Sequence, residues 1–310
     1  MPEFYLIPKR LARKAPLLTS VVRSVEAAVF RSTFWLLRKL SVDNALRLSG
    51  FVFSLLGPLS GKAAKARENL AIAFPDKSEE WRRKTTRQIF KYIGVSLAEL
   101  IKLDQIWEER EQRLEFVVEP EARKHRERRD PAIFLTAHVG AWQVATLVMR
   151  EFDIDICTVY APESNPVMNE LMLQLRQSFG RDLISTEDGP RRFIQELRAG
   201  HSIVMAMDTR PDTGKLIPFF GKEALTSTSP PGLALKTGAA LILGRAERLP
   251  RGRYRISIYD PLTSPLPDAP VKEQAAALTE VIHGFFEQWI SEYPEQWLCL
   301  KRRWPKAHKL

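Results

Sequence analysis

The chain has 310 residues, 45% of them hydrophobic, and a formal net charge of +10 at pH 7. That length accommodates one large domain, alone or with a helical appendage. The two cysteines, Cys157 and Cys299, lie far apart, which predicts buried, reduced thiols and excludes a zinc site of the CxxC kind. The N-terminus has no early apolar core followed by a small-residue cleavage site, so no signal peptide is expected.

The positive charge is concentrated at the N-terminus, where twelve basic and four acidic residues precede Asn69. Anionic lipid and nucleic acid are both suitable partners for such a segment. No helix-turn-helix, zinc-finger or RNP-like pattern accompanies the charge, so we expect lipid and no nucleic acid.

The first predicted elements are two basic amphipathic helices. Residues 20–40 carry apolar side chains at helical spacing, interrupted by charged ones, and the longest uncharged apolar run, 48–61, is shorter than the ~20 residues of a spanning helix. We therefore predict a membrane-surface segment over residues 1–62, followed by a main domain over 63–310. The alternative is that both helices simply cap the core. The inserted face would contain five aromatic residues: Phe30, Phe34, Trp35, Phe51 and Phe53.

Further along, a helical block at 63–102 is broken at 75–78, where Ser78 is a typical helix start. The charged segment 108–130 is predicted to be a solvated connection with one strand, 114–118. Beyond it strands and helices alternate, which predicts an α/β fold with a largely parallel central sheet flanked by helices. The predicted strands are 132–137, 155–161, 202–208, 240–246 and 253–259, and the predicted helices are 142–151, 166–180, 189–199, 229–237 and 271–292.

The most informative residue is His138, at the carboxyl end of the apolar strand 132–137. Parallel α/β sheets keep their ligand sites at this edge, and a histidine there can take a proton from a hydroxyl near neutral pH. Gln143 follows in the first turn of the next predicted helix, within reach of the histidine. These residues predict a general base at the sheet edge.

Six blocks along the chain together resemble the bacterial lipid A late acyltransferases, the HtrB-type lauroyl and myristoyl transferases. Each block alone is weak, but all six occur in the family's order between Arg67 and Trp304, and 138–143 occupies the place of the His-x4-Asp/Glu motif of the lysophospholipid acyltransferase superfamily. The blocks are 66–75 (ARENLAIAFP), 138–143 (HVGAWQ), 160–166 (YAPESNP), 208–221 (DTRPDTG…PFFG), 234–239 (ALKTGA) and 294–304 (PEQW…RRW).

The resemblance implies an enzyme on the cytoplasmic face of the bacterial inner membrane, held peripherally or monotopically. It would move an acyl chain from acyl carrier protein or coenzyme A to a hydroxyl of a glycolipid such as a lipid A precursor, with no cofactor and no metal. The oligomeric state is not implied.

The same resemblance implies that His138 is the catalytic base and that the residue at 143 orients it. The family has an acid there, whereas Gln143 can accept a hydrogen bond from the ring but offers no negative charge. Three explanations are open. The position has been mutated to trap a complex, another carboxylate replaces the acid, or activity has been lost. Asp208 is the first candidate for a replacing carboxylate and Asp212 the second.

Five positions are predicted to bind substrate, and Asp212 is one of them. Backbone amides near Gly140 are placed to stabilise an oxyanion, because glycine allows close approach of the backbone. Arg210 suits a phosphate, with an ion pair to Asp208 or Asp212 as the alternative. Asn165 is predicted to bind a polar head group or to cap the following helix. Arg67, with Lys62 and Lys65, either holds lipid phosphates or is solvated.

Two other functions compete with this prediction. One keeps the chemistry and changes the acceptor to a lysophospholipid, an aminolipid or a specialised metabolite. The other is a catalytically weak, membrane-bound binder of lipid or carrier protein. Both gain support from Gln143.

Overall fold

A sheet of seven strands forms the centre of the protein in the computed structural model, which describes residues 16–163, 165–177 and 182–305. The strands lie in the order β1-β9-β8-β2-β5-β3-β4, and every pair is parallel except β8 with β9. This confirms the predicted α/β fold. The strands are β1 Leu114–Val118, β2 Ala132–Thr136, β3 Ile156–Tyr160, β4 Asp182–Ser185, β5 Ser202–Ala206, β8 Ala240–Leu249 and β9 Arg253–Ile258, and a separate antiparallel hairpin contains β6 Lys215–Phe219 and β7 Lys222–Thr226.

The helices cover both faces of the sheet. They are α1 Pro16–Lys39, α2 Val42–Leu56, α3 Lys62–Ala73, α4 Glu79–Ile101, α5 Leu103–Glu108, α6 Arg110–Arg113, α7 Pro120–Arg128, α8 Leu147–Glu151, α9 Pro166–Gln177, α10 Pro190–Arg198, α11 Ser229–Thr237 and α12 Val271–Glu292. Ser78 begins α4 as predicted, because its hydroxyl accepts a hydrogen bond from the Trp81 amide. No helix in the described part of the chain is long and apolar enough to cross a membrane.

Strand β2 shows how the two faces are buried. Ile133 and Leu135 belong to one core cluster with Phe286 of α12, whereas Phe134 belongs to a second with Val148 of α8. A strand buried on both faces leaves binding sites only at its ends, as in other parallel sheets. Binding sites are therefore expected at the edges of the sheet where the strands end.

Two local predictions were wrong, and one hairpin was missed. The segment predicted as a solvated connection contains helix α7, whose first amides at Glu121 and Ala122 donate to the carboxylate of distant Asp260. The helix predicted from residue 142 begins later, as a 3-10 turn at Val144–Thr146 followed by α8. The hairpin was not predicted, because Pro218 inside β6 argues against a strand in the sequence. Helix α7 was missed because the carboxylate that caps it, Asp260, lies far along the chain and leaves no signal in the local sequence.

Candidate active site

His138 lies directly beyond β2, in a turn that packs against β8. Gly140 adopts a left-handed backbone conformation there, with φ +65°, and a Cβ at this position would collide with the carbonyl oxygen of Ala246. The Ala141 amide donates to that same oxygen at 2.8 Å. Only glycine allows the turn to approach β8 so closely. The tight turn fixes the backbone that carries the histidine.

The His138 ring contacts Asp208, which follows β5, the strand next to β2. The ring Nδ1 lies 2.7 Å from Oδ1 of Asp208, and the Trp297 indole N–H donates to Oδ2 at 3.1 Å. The Leu298 amide also donates to the His138 carbonyl oxygen, at 2.8 Å. Residues from three distant parts of the sequence therefore form one hydrogen-bonded chain, Trp297–Asp208–His138.

Asp208 is buried, with 1% of its side chain exposed, whereas 23% of the His138 side chain is exposed. Burial alone would raise the pKa of Asp208. Attraction to His138 and hydrogen bonds from His138 and Trp297 outweigh burial and hold that pKa below its ordinary value. Asp208 is therefore an ionised carboxylate beneath a partly exposed imidazole.

This contact determines which ring nitrogen faces a substrate. A carboxylate accepts hydrogen bonds, so Nδ1 of the neutral imidazole carries the proton and Nε2 has a free lone pair. The edge of the Trp142 ring system flanks the imidazole, with ring centroids 5.6 Å apart. Such an arrangement can take a proton at Nε2 while Asp208 stabilises the resulting positive charge.

Gln143 does not take the place of the acid. Within the described ranges no hydrogen bond joins its side chain to His138, and its backbone carbonyl oxygen accepts a hydrogen bond from the Thr146 hydroxyl. The residue stands where the chain enters the 3-10 turn rather than in the predicted helix. The carboxylate that contacts the imidazole is Asp208, the first of the two predicted replacements; a catalytic role for Gln143 stays a prediction.

The other predicted residues of the loop after β5 lie at the same edge. Arg210 and Asp212 are both exposed, and in the described part of the chain Arg210 forms no ion pair with Asp208 or Asp212. Arg210 is therefore available to an anionic ligand beside the buried carboxylate. Its binding role, like that of Asp212 and of the amides near Gly140, stays a prediction.

Asn165 and Arg67 are found in structural contacts. The Asn165 side chain accepts from the Val167 amide at 3.1 Å, which is the predicted capping alternative, and donates to Glu26 of α1 at 2.9 Å. Arg67 lies 4.0 Å from Glu79 and is 41% exposed. The substrate-binding roles of both residues stay predictions. The contact of Asn165 places α1 beside the loop that follows β3, at the same edge as His138.

Two residues that shape this site were not predicted. Trp297 belongs to the PEQW block, but nothing in its sequence context indicates that its indole reaches Asp208. Asn69 is buried in α3 and binds the backbone of the C-terminal segment at Cys299, Lys301 and Arg303. An asparagine inside a helix, where it is a poor helix former, was the available signal for Asn69.

Several known acyltransferases are similar to this chain. The 29% identical lauroyltransferase of lipid A biosynthesis from Escherichia coli K12 aligns over 282 residues, covering 87% of this chain and 88% of that protein. The palmitoleoyltransferase of lipid A biosynthesis from the same organism is 24% identical over 79% of each chain. A phosphatidylinositol mannoside acyltransferase of Mycobacterium tuberculosis H37Rv is 25% identical over 56% of this chain and 54% of its own.

Among solved structures, the 1-acyl-sn-glycerophosphate acyltransferase PlsC of Thermotoga maritima matches with a TM-score of 0.36 and 15% identity, over 78% of this chain and 97% of its own. The sequence profile of the bacterial lipid A biosynthesis acyltransferases matches residues 21–306. The chain therefore belongs to the bacterial lipid A biosynthesis acyltransferase family and is an acyltransferase.

Proposed function

We propose that the protein transfers an acyl group from a thioester to a hydroxyl of a membrane glycolipid such as a lipid A precursor, with His138 as general base. The observation that carries the proposal is the hydrogen-bonded chain Trp297–Asp208–His138, which leaves Nε2 of an imidazole exposed above a buried carboxylate. The named activities of the similar proteins support the acyl group and the lipid acceptor.

The reaction follows from these groups. The acceptor hydroxyl gives its proton to Nε2 of His138 as its oxygen attacks the thioester carbonyl, forming a tetrahedral oxyanion. Asp208 stabilises the imidazolium formed in this step. When the oxyanion collapses, the carbon–sulfur bond breaks, and the leaving thiolate takes the proton from the imidazolium. The products are an ester and a thiol, and the base is regenerated.

The donor is acyl carrier protein or coenzyme A, and no cofactor is needed, because the thioester is already activated. An assay that offers both donors with a labelled acyl chain distinguishes them.

We expect His138→Ala to abolish transfer to a lipid A precursor. We expect Gln143→Ala and Gln143→Glu to stay within about threefold of the native chain, because Asp208 serves the imidazole. A large gain in Gln143→Glu would contradict this assignment.

A second acceptor class has its own support. The similar mycobacterial protein is named for acylating a phosphatidylinositol mannoside, and Gln143 departs from the family motif. The same assay therefore includes a lysophospholipid and a phosphatidylinositol mannoside as acceptors. Turnover with one of these and none with the lipid A precursor would change the acceptor and keep the chemistry. Lipid binding without turnover of any donor would instead establish a catalytically weak binder.

We propose that the enzyme lies on the membrane through α1 and α2. Each helix has an exposed apolar stripe at helical spacing: Val21, Val25, Val29, Trp35 and Leu36 in α1, and Leu48, Phe51, Val52, Leu55 and Leu56 in α2. Leu59, in the 3-10 turn after α2, is also exposed. Of the predicted aromatics, Trp35 and Phe51 are exposed, and Phe30, Phe34 and Phe53 are half-buried. Apolar stripes beside basic side chains suit an anionic lipid surface at the cytoplasmic face.

Vesicle flotation tests this surface. We expect the native chain to float with anionic vesicles, and the double variant Val25→Glu, Leu56→Glu to stay in solution. Leu266→Glu is the matched control, because Leu266 is 47% exposed and lies outside both helices. Equal flotation of the double variant and the control would overturn the proposed surface.

A further inference from the structure

The amino-terminal edge of the sheet carries a second cluster of reactive side chains, opposite the edge that holds His138. Within the described residues, one group of three potential metal ligands lies with its ligand atoms within 4.8 Å of one another: Cys157, Glu196 and His201. Cys157 is the second residue of β3, Glu196 belongs to α10, and His201 precedes β5. We propose that this cluster binds a divalent transition-metal ion of the zinc class.

The donor atoms match that class of ion. Thiolate, imidazole and carboxylate are the ligands that zinc takes in proteins, and three protein ligands with an open fourth position is a common arrangement. The His201 side chain is 16% exposed, so the fourth position faces solvent and a water molecule can fill it. Cys157 itself is fully buried, and an ion therefore enters from the histidine side.

The ligand atoms already lie within 4.8 Å of one another, and two of the distances between them are short. Oε2 of Glu196 lies 2.7 Å from Nδ1 of His201 and 3.5 Å from Sγ of Cys157. Ligand atoms around a tetrahedral ion with bonds of 2.0–2.3 Å lie about 3.4 Å apart. The carboxylate–imidazole distance must lengthen by about 0.7 Å to admit the ion, which a side-chain rotation supplies. Binding also displaces the thiol proton of Cys157 and the Nδ1 proton of His201.

The orientation of the carboxylate is fixed by its other oxygen. Oε1 of Glu196 lies 2.7 Å from the guanidinium of Arg192, which also binds Asp182 at 3.0 Å. Since Asp182 balances the charge of Arg192, the guanidinium can hold Oε1 without repelling a cation strongly. Oε2 is left facing Cys157 and His201, in the way that outer contacts orient metal ligands.

The charge of the glutamate also suits an ion. A divalent ion together with the Cys157 thiolate and the Glu196 carboxylate has no net charge, which favours a buried position. The ion would link β3 to the connection between α10 and β5.

Cobalt titration tests the proposal on the full chain after treatment with a chelator. We expect one Co²⁺ per chain and a thiolate-to-cobalt charge-transfer absorption, in the native protein and in Cys299→Ser. Cys299 is the matched control, because it is equally buried and lies away from the cluster. The absorption should be lost in Cys157→Ser, and His201→Gln should weaken binding by at least about tenfold.

A second measurement separates loss of the site from loss of folding. Zn²⁺ should raise the melting temperature of the native chain and of Cys299→Ser, and leave that of Cys157→Ser and His201→Gln unchanged. His201→Gln is the safer variant, because its side chain is partly exposed and the substitution keeps a polar group. No absorption in the native chain, or an absorption lost equally in Cys299→Ser, would show that the three residues form a hydrogen-bonded cluster and bind no metal.

Discussion

Two histidines at opposite edges of the sheet make nearly the same contact. His138 and His201 each place Nδ1 2.7 Å from a carboxylate oxygen, of Asp208 and Glu196 respectively. What surrounds the carboxylate differs. The second oxygen of Asp208 accepts the Trp297 indole N–H in a buried site, whereas the carboxylate of Glu196 meets a guanidinium and a thiol. A histidine–carboxylate pair therefore does not determine the chemistry by itself. The groups that contact the carboxylate from its other side determine it.

The largest effect should come from removing one carboxylate at each edge. Asp208→Asn leaves His138 with a neutral partner, and we expect acyl transfer to fall by about 10³–10⁴-fold, as in other histidine–aspartate pairs. Glu196→Gln is the matched variant, and we expect its activity to stay within about threefold of the native rate. Steady-state kinetics on both variants measures the difference. Similar losses in the two would mean that the edges are not separate in function.

Two glycines, one near each edge of the sheet, allow the edges to be compared by the free energy of unfolding. Gly140 and Gly200 both adopt positive φ, but a Cβ would collide with Ala246 at the first and meets no atom within 4 Å at the second. We expect Gly140→Ala to lower the free energy of unfolding by about 2–4 kcal/mol, from backbone strain and the collision together. Gly200→Ala should lose about 1 kcal/mol from the backbone strain alone. Urea unfolding measures both, and equal losses would argue against the close packing of the His138 turn on β8.

A substitution at Trp297 tests the contribution of the indole N–H that binds Asp208 at the catalytic edge. Trp297→Phe removes the N–H that Asp208 accepts, and we expect kcat/KM to fall by about 10- to 100-fold, since a hydrogen bond to a charged group contributes about 1.5–3 kcal/mol. Trp304 offers a control, because its indole N–H donates to the Phe219 carbonyl oxygen instead. Trp304→Phe should keep near-native activity. An equal loss in both variants would indicate a general packing defect.

The smallest predicted effect is a pH dependence of stability. The pKa of Asp208 is lower in the folded protein than the ordinary aspartate value of about 3.9. The stability it contributes is therefore complete above that ordinary value and is lost as the pH falls through the lowered pKa. Unfolding free energies measured between about pH 5 and about pH 2 should fall more steeply for the native chain than for Asp208→Asn, with the difference appearing below about pH 4. A steeper fall in the variant would contradict the assignment of an ionised, stabilising carboxylate.

Much of the catalytic edge could be predicted from the sequence. The apolar run before His138 predicted a buried strand and a histidine at its carboxyl end, and both are present. The missing acid at Gln143 directed attention to Asp208, which contacts the ring because β2 and β5 are neighbours in the sheet. That neighbour relation cannot be read from spacing, so the sequence ranked Asp208 above Asp212 but could not decide between them without the strand order.

The cluster of Cys157, Glu196 and His201 at the opposite edge could not be predicted from the sequence. Cys157 and His201 are separated by α9, β4 and α10, and no short motif of closely spaced cysteines and histidines joins them. Trp297 was missed for the same reason, because its contact with Asp208 spans most of the second half of the chain. Long-range contacts of single side chains depend on the topology rather than on local pattern.

The clamp on the C-terminal segment has a consequence for biosynthesis. Asn69 in α3 binds the backbone of residues 299–303, and the same segment brings Trp297 to Asp208 and the Leu298 amide to His138. A nascent chain whose residues 297–303 are still inside the ribosome has its base and its carboxylate but lacks the support of Trp297 and Leu298. The complete site therefore forms only after these residues have left the ribosome, and a chain truncated before Trp297 would form the sheet without completing the site.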